Sequence, residues 1–192
     1  VLAAAAVGTA LKMNLVDVAA ALTEFRALPG RMNLLEGDAG IRIIDDTYNA
    51  SRVSTEAALA TLRELIAPRK VAILGDMLEI GSGSDEMHRA LRDMVIASGA
   101  TVFIGVGQHM SFLADALHGT NFPEKSIYQY PDPLTARDRL VEHIRPGDLV
   151  LVKGSQGLRM ELIVERLFGD NRESEKQERL CRQSRWFCGQ AF

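Results

Sequence analysis

The segment that follows the first predicted strand concentrates side chains that could bind a nucleotide. Residues 43–50 read IIDDTYNA, so the carboxylates of Asp45 and Asp46, the phenol of Tyr48 and the amide of Asn49 follow a β-branched run. Carboxylates accept hydrogen bonds from ribose hydroxyls, and tyrosine or asparagine can flank or hydrogen-bond a purine. The same residue types also build an ordinary turn from a strand into a capped helix. Composition alone favours the turn.

Two later predicted strand ends carry weaker chemical signals. Residues 74–81 read LGDMLEIG and place Asp76 and Glu79 where they could bind a cationic amine or simply solvate a loop. Residues 151–157 read LVKGSQG, so the ammonium of Lys153, the Ser155 hydroxyl and exposed backbone amides could hold a carboxylate or a phosphate. Each segment alone is an unremarkable loop.

Arg31 lies in a predicted hinge, residues 29–32, which reads PGRM. An arginine there can bind a phosphate through two parallel hydrogen bonds, and the alternative is a solvated arginine. His88 has no partner at metal-ligand spacing, and the order G-x-x-x-x-G-K-[ST] of a phosphate-binding loop is absent. Neither a Ser-His-Asp order nor a CxxC pair stands out. The sequence therefore predicts no catalytic residue and no metal ligand within this chain.

The elements that must position these segments form a regular alternation. Short apolar runs rich in β-branched residues alternate with amphipathic helical patterns; the runs are residues 41–44, 71–74, 101–104, 126–130 and 149–152. This alternation predicts an α/β fold with a Rossmann-like, mostly parallel sheet and helices on both of its faces. Such sheets bind ligands at the carboxyl ends of their strands, where the polar segments lie.

Both ends of the chain depart from this alternation. Residues 1–12 are alanine-rich and predict a helix, and Asn14 predicts the start of a second helix. These two helices have too few partners for a core of their own, so we expect them to belong to a domain that begins upstream. Residues 169–192 lose the pattern and predict a poorly ordered tail, with an altered reading frame as the alternative.

Bulk composition excludes several classes of protein. The 192 residues carry a net charge of −3, which gives no electrostatic argument for binding nucleic acid or anionic membranes. No apolar stretch reaches the length of a membrane span. Cys181 and Cys188 are the two cysteines, so disulfides do not organise the fold and a reducing cytoplasm is the expected location.

Four segments taken in order resemble the Mur ligase family. They are PGRM at residues 29–32, IIDDTYNAS at 43–51, LGDMLEIG at 74–81 with a histidine downstream, and GDLVLVKGS at 147–155. Each segment alone is weak, whereas the ordered set at these strand ends is specific. The similarity extends from residue 1 to about residue 168.

The resemblance implies a parent of three domains: one that binds a UDP-linked substrate, a central ATPase domain, and a carboxyl-terminal Rossmann-like domain. Residues 1–38 would end the central domain and form the hinge, and residues 39–168 would be the domain that closes over ATP. The family reaction activates a substrate carboxylate with ATP as an acyl phosphate, which an amine attacks with release of ADP and phosphate. Mg²⁺ neutralises the developing phosphate charge.

Carried over residue by residue, the resemblance assigns Arg31 to an ATP phosphate. Asp46 and Asn49 would contact the ribose and adenine, with Asp45 and Tyr48 as supports. The weaker candidates for receiving the incoming dipeptide, or for domain closure, are Asp76, Glu79, Lys153 and Ser155.

Two positions depart from the family pattern. Arg52 stands where the family usually has proline, which implies a looser turn or an added phosphate contact, and Gln156 stands where the K-G-S segment is usually followed by arginine. The family's ATP loop and Mg²⁺ ligands would lie upstream, so we predict that this chain alone ligates nothing.

Within the family, the DDTYNA segment favours the ligase that adds D-alanyl-D-alanine to UDP-N-acetylmuramoyl-tripeptide during synthesis of the peptidoglycan precursor. Two alternatives stay open. One is a stand-alone Rossmann-like module that binds a nucleotide or a small acid. The other is a different Mur ligase or a folylpolyglutamate-type ligase.

Overall fold

A computed structural model describes residues 2–24, 27–78 and 80–169 and is built around one six-stranded sheet. The strand order is β1-β2-β6-β3-β4-β5, and only the β1–β2 pair is antiparallel. The strands are β1 (Asn33–Glu36), β2 (Arg42–Asp46), β3 (Lys70–Gly75), β4 (Val102–Val106), β5 (Ile127–Tyr130) and β6 (Leu149–Lys153). The predicted α/β fold with a mostly parallel sheet is confirmed.

Eight α-helices accompany the sheet within the described residues. They are α1 (Leu2–Ala10), α2 (Leu15–Thr23), α3 (Arg52–Glu64), α4 (Ser84–Arg89), α5 (Arg92–Ala97), α6 (Met110–Leu117), α7 (Pro133–Arg139) and α8 (Glu161–Phe168). None of them is long and apolar enough to cross a lipid bilayer.

The core consists of two apolar layers, one on each face of the sheet. Successive side chains of a strand point to opposite faces, so Leu149 and Leu151 of the central strand β6 join one layer while Val150 and Val152 join the other. Helices α3 and α6 cover the first layer, and α7 and α8 cover the second. All five residues of β6 are buried, which explains its continuous apolar run.

Strand β1 was not predicted, because its sequence NLLE is short and lies in the expected hinge. It pairs with β2 at the edge of the sheet, and its side chains are at most half-buried. The sheet therefore begins at Asn33, ahead of the expected domain start at residue 39.

Helices α1 and α2 form a hairpin that packs mainly on itself. The predicted cap is present, since Asn14 Oδ1 accepts the Val16 N–H at 2.9 Å. Gly8 lets the two helices approach closely, because a Cβ there would lie 2.8 Å from Val18. Several large apolar side chains of the hairpin stay exposed, including Leu2 at 87% and Leu15 at 65%. The expected tail, residues 169–192, lies outside the described residues from residue 170 onward.

Candidate functional site

The candidate site lies where two neighbouring parallel strands end. Asp46 closes β2 and Lys153 closes β6, and the two residues are register partners. Their side chains therefore emerge together, and Lys153 Nζ donates to Asp46 Oδ2 at 2.5 Å and to the Asn49 carbonyl at 2.8 Å. The resemblance assigned Asp46 to the nucleotide and made Lys153 a weaker candidate for the dipeptide or for domain closure, and the structure joins the two residues in one ion pair.

Asp45 is fully buried and ties the linker, residues 27–32, to the loop after β2. Its Oδ2 accepts the Gly30 N–H at 2.8 Å, and its Oδ1 accepts the Thr47 hydroxyl at 2.7 Å. The Tyr48 N–H returns a bond to the Gly30 carbonyl at 2.9 Å. Gly30 has a φ of 73°, and a Cβ there would lie 2.9 Å from the Tyr48 nitrogen, so this close approach requires glycine.

Arg31 is held against the same loop. Its guanidinium carbon lies 3.9 Å from the centroid of the Tyr48 ring, which is cation–π geometry. The next residue, Met32, has a φ of 53° and donates its N–H to Asp46 Oδ1 at 3.1 Å. A non-glycine residue in this conformation is strained, and the bond to Asp46 helps to hold it. The linker therefore turns so that it presents Arg31 beside Tyr48.

Helix α3 starts immediately after the loop with a reciprocal cap. Ser51 accepts the Ser54 N–H at 3.3 Å, and the Ser54 hydroxyl accepts the Ser51 N–H at 3.0 Å. Arg52 pairs with Glu56 at 2.8 Å, along the helix. Arg52, the residue that departs from the family pattern, thus forms a half-exposed ion pair on the first turn of α3.

These pieces enclose an open cleft of about 510 Å³ between the linker, the loop after β2 and helix α3. Pockets for small molecules in proteins are of this size. The cleft combines cationic, aromatic and amide groups, and its lining includes Arg31, Asp46, Tyr48, Asn49, Ser51 and Lys153. Four of the five residues predicted to bind ATP therefore line one cavity, and the fifth, Asp45, lies buried behind it.

The second group of predicted residues has a different environment. The Asp76 carboxylate accepts the N–H groups of His109 at 3.1 Å and Met110 at 2.8 Å, at the start of α6. The Ser155 hydroxyl accepts the Leu78 N–H at 2.8 Å, and the Ser155 N–H donates to the Asp76 carbonyl at 3.2 Å. Both side chains are buried. Glu79 lies outside the described residues.

His88 binds the backbone of the same loop through its imidazole ring. Its Nε2 lies 2.9 Å from the Met77 nitrogen and accepts that N–H, which leaves Nδ1 to donate to the Ser84 carbonyl at 2.6 Å. Burial lowers the pKa of His88, so the neutral ring is favoured. Among the described residues, no group of three His, Cys, Asp or Glu could hold a metal ion.

Sequence reasoning missed the contacts that unite the cleft. The bonds from Gly30 and Met32 to the two aspartates, and the Asp46–Lys153 pair, depend on strand register and span up to 107 residues of chain. One signal was available: Lys153 is the charged end of the otherwise apolar run LVLVK, and Asp46 ends RIIDD.

Comparisons with known proteins point to one family. The family described as "Mur ligase, glutamate ligase domain" matches residues 30–156. The UDP-N-acetylmuramoyl-tripeptide–D-alanyl-D-alanine ligase of Bacillus subtilis is 29% identical over 167 residues, which cover 86% of this chain and 36% of that protein. The ligase of the same name from Escherichia coli is 30% identical over 167 residues, covering 86% and 35%. The chain thus spans about a third of the length of these relatives.

Solved structures agree. MurF ligase from Thermotoga maritima in complex with ADP is 26% identical with a TM-score of 0.66, covering 91% of this chain and 37% of that one. MurF from Acinetobacter baumannii is 28% identical with a TM-score of 0.69, covering 85% and 35%.

Proposed function

This chain belongs to the Mur ligase family, and from that premise we propose that it is the carboxyl-terminal part of an ATP-dependent ligase. The proposed parent joins D-alanyl-D-alanine to UDP-N-acetylmuramoyl-tripeptide, by way of an acyl phosphate, as a cytoplasmic step of peptidoglycan precursor synthesis. The observation that carries the proposal is the cleft of Arg31, Tyr48 and the Asp46–Lys153 pair at the carboxyl ends of β2 and β6. The names of the relatives support the choice of substrates.

The proposed domain arrangement follows the same reasoning. Residues 1–38 supply the end of the ATPase domain and the hinge, residues 39–168 supply the domain that closes over ATP, and residues 169–192 are a tail. The α1–α2 hairpin exposes large apolar side chains, which supports its burial against the upstream part of the ATPase domain. The UDP-binding domain would be a further upstream part of the same enzyme. The pairing of β1 with β2 favours one change to these bounds, namely a closing domain that starts at Asn33 and a hinge that ends before it.

The roles proposed for the cleft residues fit their geometry. Arg31 lies over the Tyr48 ring and can offer two parallel donors to an ATP phosphate. Asp46 already accepts two bonds, but a carboxylate has about four acceptor sites, so it can still accept a ribose hydroxyl. Asn49 lines the cleft and would contact the adenine or ribose. Asp45 is enclosed, which supports the role of a supporting residue proposed for it.

Mg²⁺ would neutralise phosphate charge in such a reaction. The described part of this chain does not offer a ligand set for it, and the proposed ligands lie upstream. The contribution of this chain is therefore to bind and orient the nucleotide and, on closure, to exclude water from the acyl phosphate.

The proposed dipeptide-receiving region is the loop after β3. Asp76 and Ser155 are buried and are engaged with backbone groups, so their proposed role is to shape this loop. Glu79 stays a weaker candidate for contact with the dipeptide or for domain closure.

The test is a ligation assay on the complete gene product that carries this chain. With ATP, Mg²⁺, UDP-N-acetylmuramoyl-tripeptide and D-alanyl-D-alanine, we expect stoichiometric release of ADP and formation of the pentapeptide product. The 192-residue chain alone should release no ADP. A complete product without this activity, or a start codon directly before Val1 with no upstream ATP loop, would favour a stand-alone binding module.

A further inference from the structure

Lys153 is a lysine in an unusual environment. Its side chain is only 2% exposed, although lysine is almost never fully buried unless it is paired. It donates to Asp46 at 2.5 Å and to the Asn49 carbonyl at 2.8 Å. The ammonium therefore contacts both the end of β2 and the loop that forms one wall of the cleft.

Asp46 transmits this contact to the opposite wall. Its Oδ2 accepts from Lys153, and its Oδ1 accepts the N–H of Met32, whose backbone is in the left-handed conformation. Met32 directly follows Arg31, which lies on the Tyr48 ring. Without the ammonium, the carboxylate would be a mostly buried, unpaired charge, and it would reorient toward solvent or toward another donor.

From these contacts we propose that Lys153 is a positioning residue of the nucleotide cleft and does not bind the dipeptide. It fixes Asn49 directly, and it fixes Arg31 through Asp46 and the Met32 amide. The inference rests on the proposed function, because it concerns the same ATP cleft. It replaces the weaker assignment of Lys153, to the dipeptide side or to domain closure, that the family resemblance implied.

The experiment uses the complete gene product and measures KM for ATP and for D-alanyl-D-alanine separately, together with direct binding of ADP. Lys153→Met removes the ammonium and keeps much of the apolar stem. Loss of a hydrogen bond to a charged group should raise the KM for ATP and the Kd for ADP about tenfold. The KM for D-alanyl-D-alanine should change by less than about twofold.

The matched control is Lys70→Met. Lys70 lies at the amino end of the interior strand β3, away from the cleft at the carboxyl ends, and donates to the Arg63 carbonyl at 2.8 Å, so this variant also removes an ammonium-to-carbonyl bond. Its KM values should stay at those of the unmodified enzyme. If Lys153→Met does not fold, Lys153→Gln retains N–H donors and should show an intermediate rise of about threefold in the KM for ATP.

A double variant tests the route through Asp46. Since both residues act on one structure, Asp46→Asn with Lys153→Met should bind ADP within about twofold of the weaker single variant. Fully additive losses would overturn the proposed route.

The remaining outcomes separate the two proposals. A raised KM for D-alanyl-D-alanine with an unchanged KM for ATP would place Lys153 on the dipeptide and overturn the inference. A lower kcat with both KM values unchanged would make the residue merely structural and would also overturn it. If the unmodified complete protein neither binds ADP nor turns over, the proposed function fails, and the inference fails with it.

Discussion

Two strand-end regions of this molecule each carry an aspartate and use it differently. At the ends of β2 and β6, Asp46 pairs with Lys153, and both line an open cleft. At the end of β3, the Asp76 carboxylate accepts hydrogen bonds from two backbone N–H groups at the start of α6. The partner of an acidic residue, and not its type or its place at a strand end, separates the proposed nucleotide cleft from the loop after β3.

The comparison is tested most strongly at Asp76. Replacing Asp76 with Ala would leave the amides of His109 and Met110 without their acceptor inside the protein. We expect the free energy of unfolding to fall by about 3 kcal/mol, because each bond involves a charged acceptor. Urea denaturation followed by circular dichroism measures this loss. An unchanged unfolding midpoint would show that Asp76 does not stabilise this loop.

The next largest effect is expected at Arg31. Arg31→Lys keeps the charge but loses the planar fork, so the affinity of the complete protein for ADP should fall about tenfold without loss of stability. Arg89→Lys is the control, since Arg89 also lies over an aromatic ring, that of Phe112, outside the cleft. Isothermal titration calorimetry compares the two variants, and equal affinities would count against an Arg31 contact with phosphate.

The loop after β3 should also respond to pH through His88. Burial lowers its folded-state pKa, so the unfolded chain takes up the proton more readily than the folded protein. The stability that the neutral His88 ring contributes is fully present above the unfolded-state pKa of about 6.5. It is lost as the pH falls toward the folded-state pKa.

His88→Gln removes this titration. The variant should therefore lose less stability than the unmodified chain between about pH 7.5 and about pH 5.5. His143 remains in both proteins as the internal reference, since burial lowers its pKa as well. Parallel urea curves at the two pH values measure the difference, and an identical pH dependence in both proteins would contradict the assignment.

A smaller effect separates two buried threonines. Thr47 donates to Asp45, whereas the Thr55 hydroxyl is buried with no hydrogen-bond partner among the described residues. Thr47→Val should destabilise the chain by about 1 kcal/mol. Thr55→Val should be neutral or stabilising, because it removes an unpaired hydroxyl. Equal losses in urea denaturation would show that the linker tie through Asp45 contributes nothing specific.

The smallest effect is expected at Arg52, which pairs with Glu56 on the surface of α3. Arg52→Ala should cost about 0.3 kcal/mol of stability and change the ADP affinity by less than about twofold. A marked loss of ADP binding in calorimetry would instead indicate that Arg52 contacts a phosphate.

The sequence predicted the sheet well and the site only in outline. Five strands were found because their apolar runs are rich in β-branched residues, while β1 was missed because its four residues pair through the backbone at an exposed edge. Residue type and position singled out four residues that line the cleft, and their contact with a nucleotide stays a prediction. The difference between Asp46 and Asp76 was not visible, because it depends on which strands are neighbours and on where a helix starts.

The most direct test of the account maps where a nucleotide lies. The complete protein is photolabelled with 8-azido-ATP, with and without excess ADP, and the modified peptides are identified by mass spectrometry. The account predicts ADP-protected labelling within residues 29–61, where the linker, the loop after β2 and α3 enclose the cleft. Protected labelling in residues 76–90 instead would contradict it.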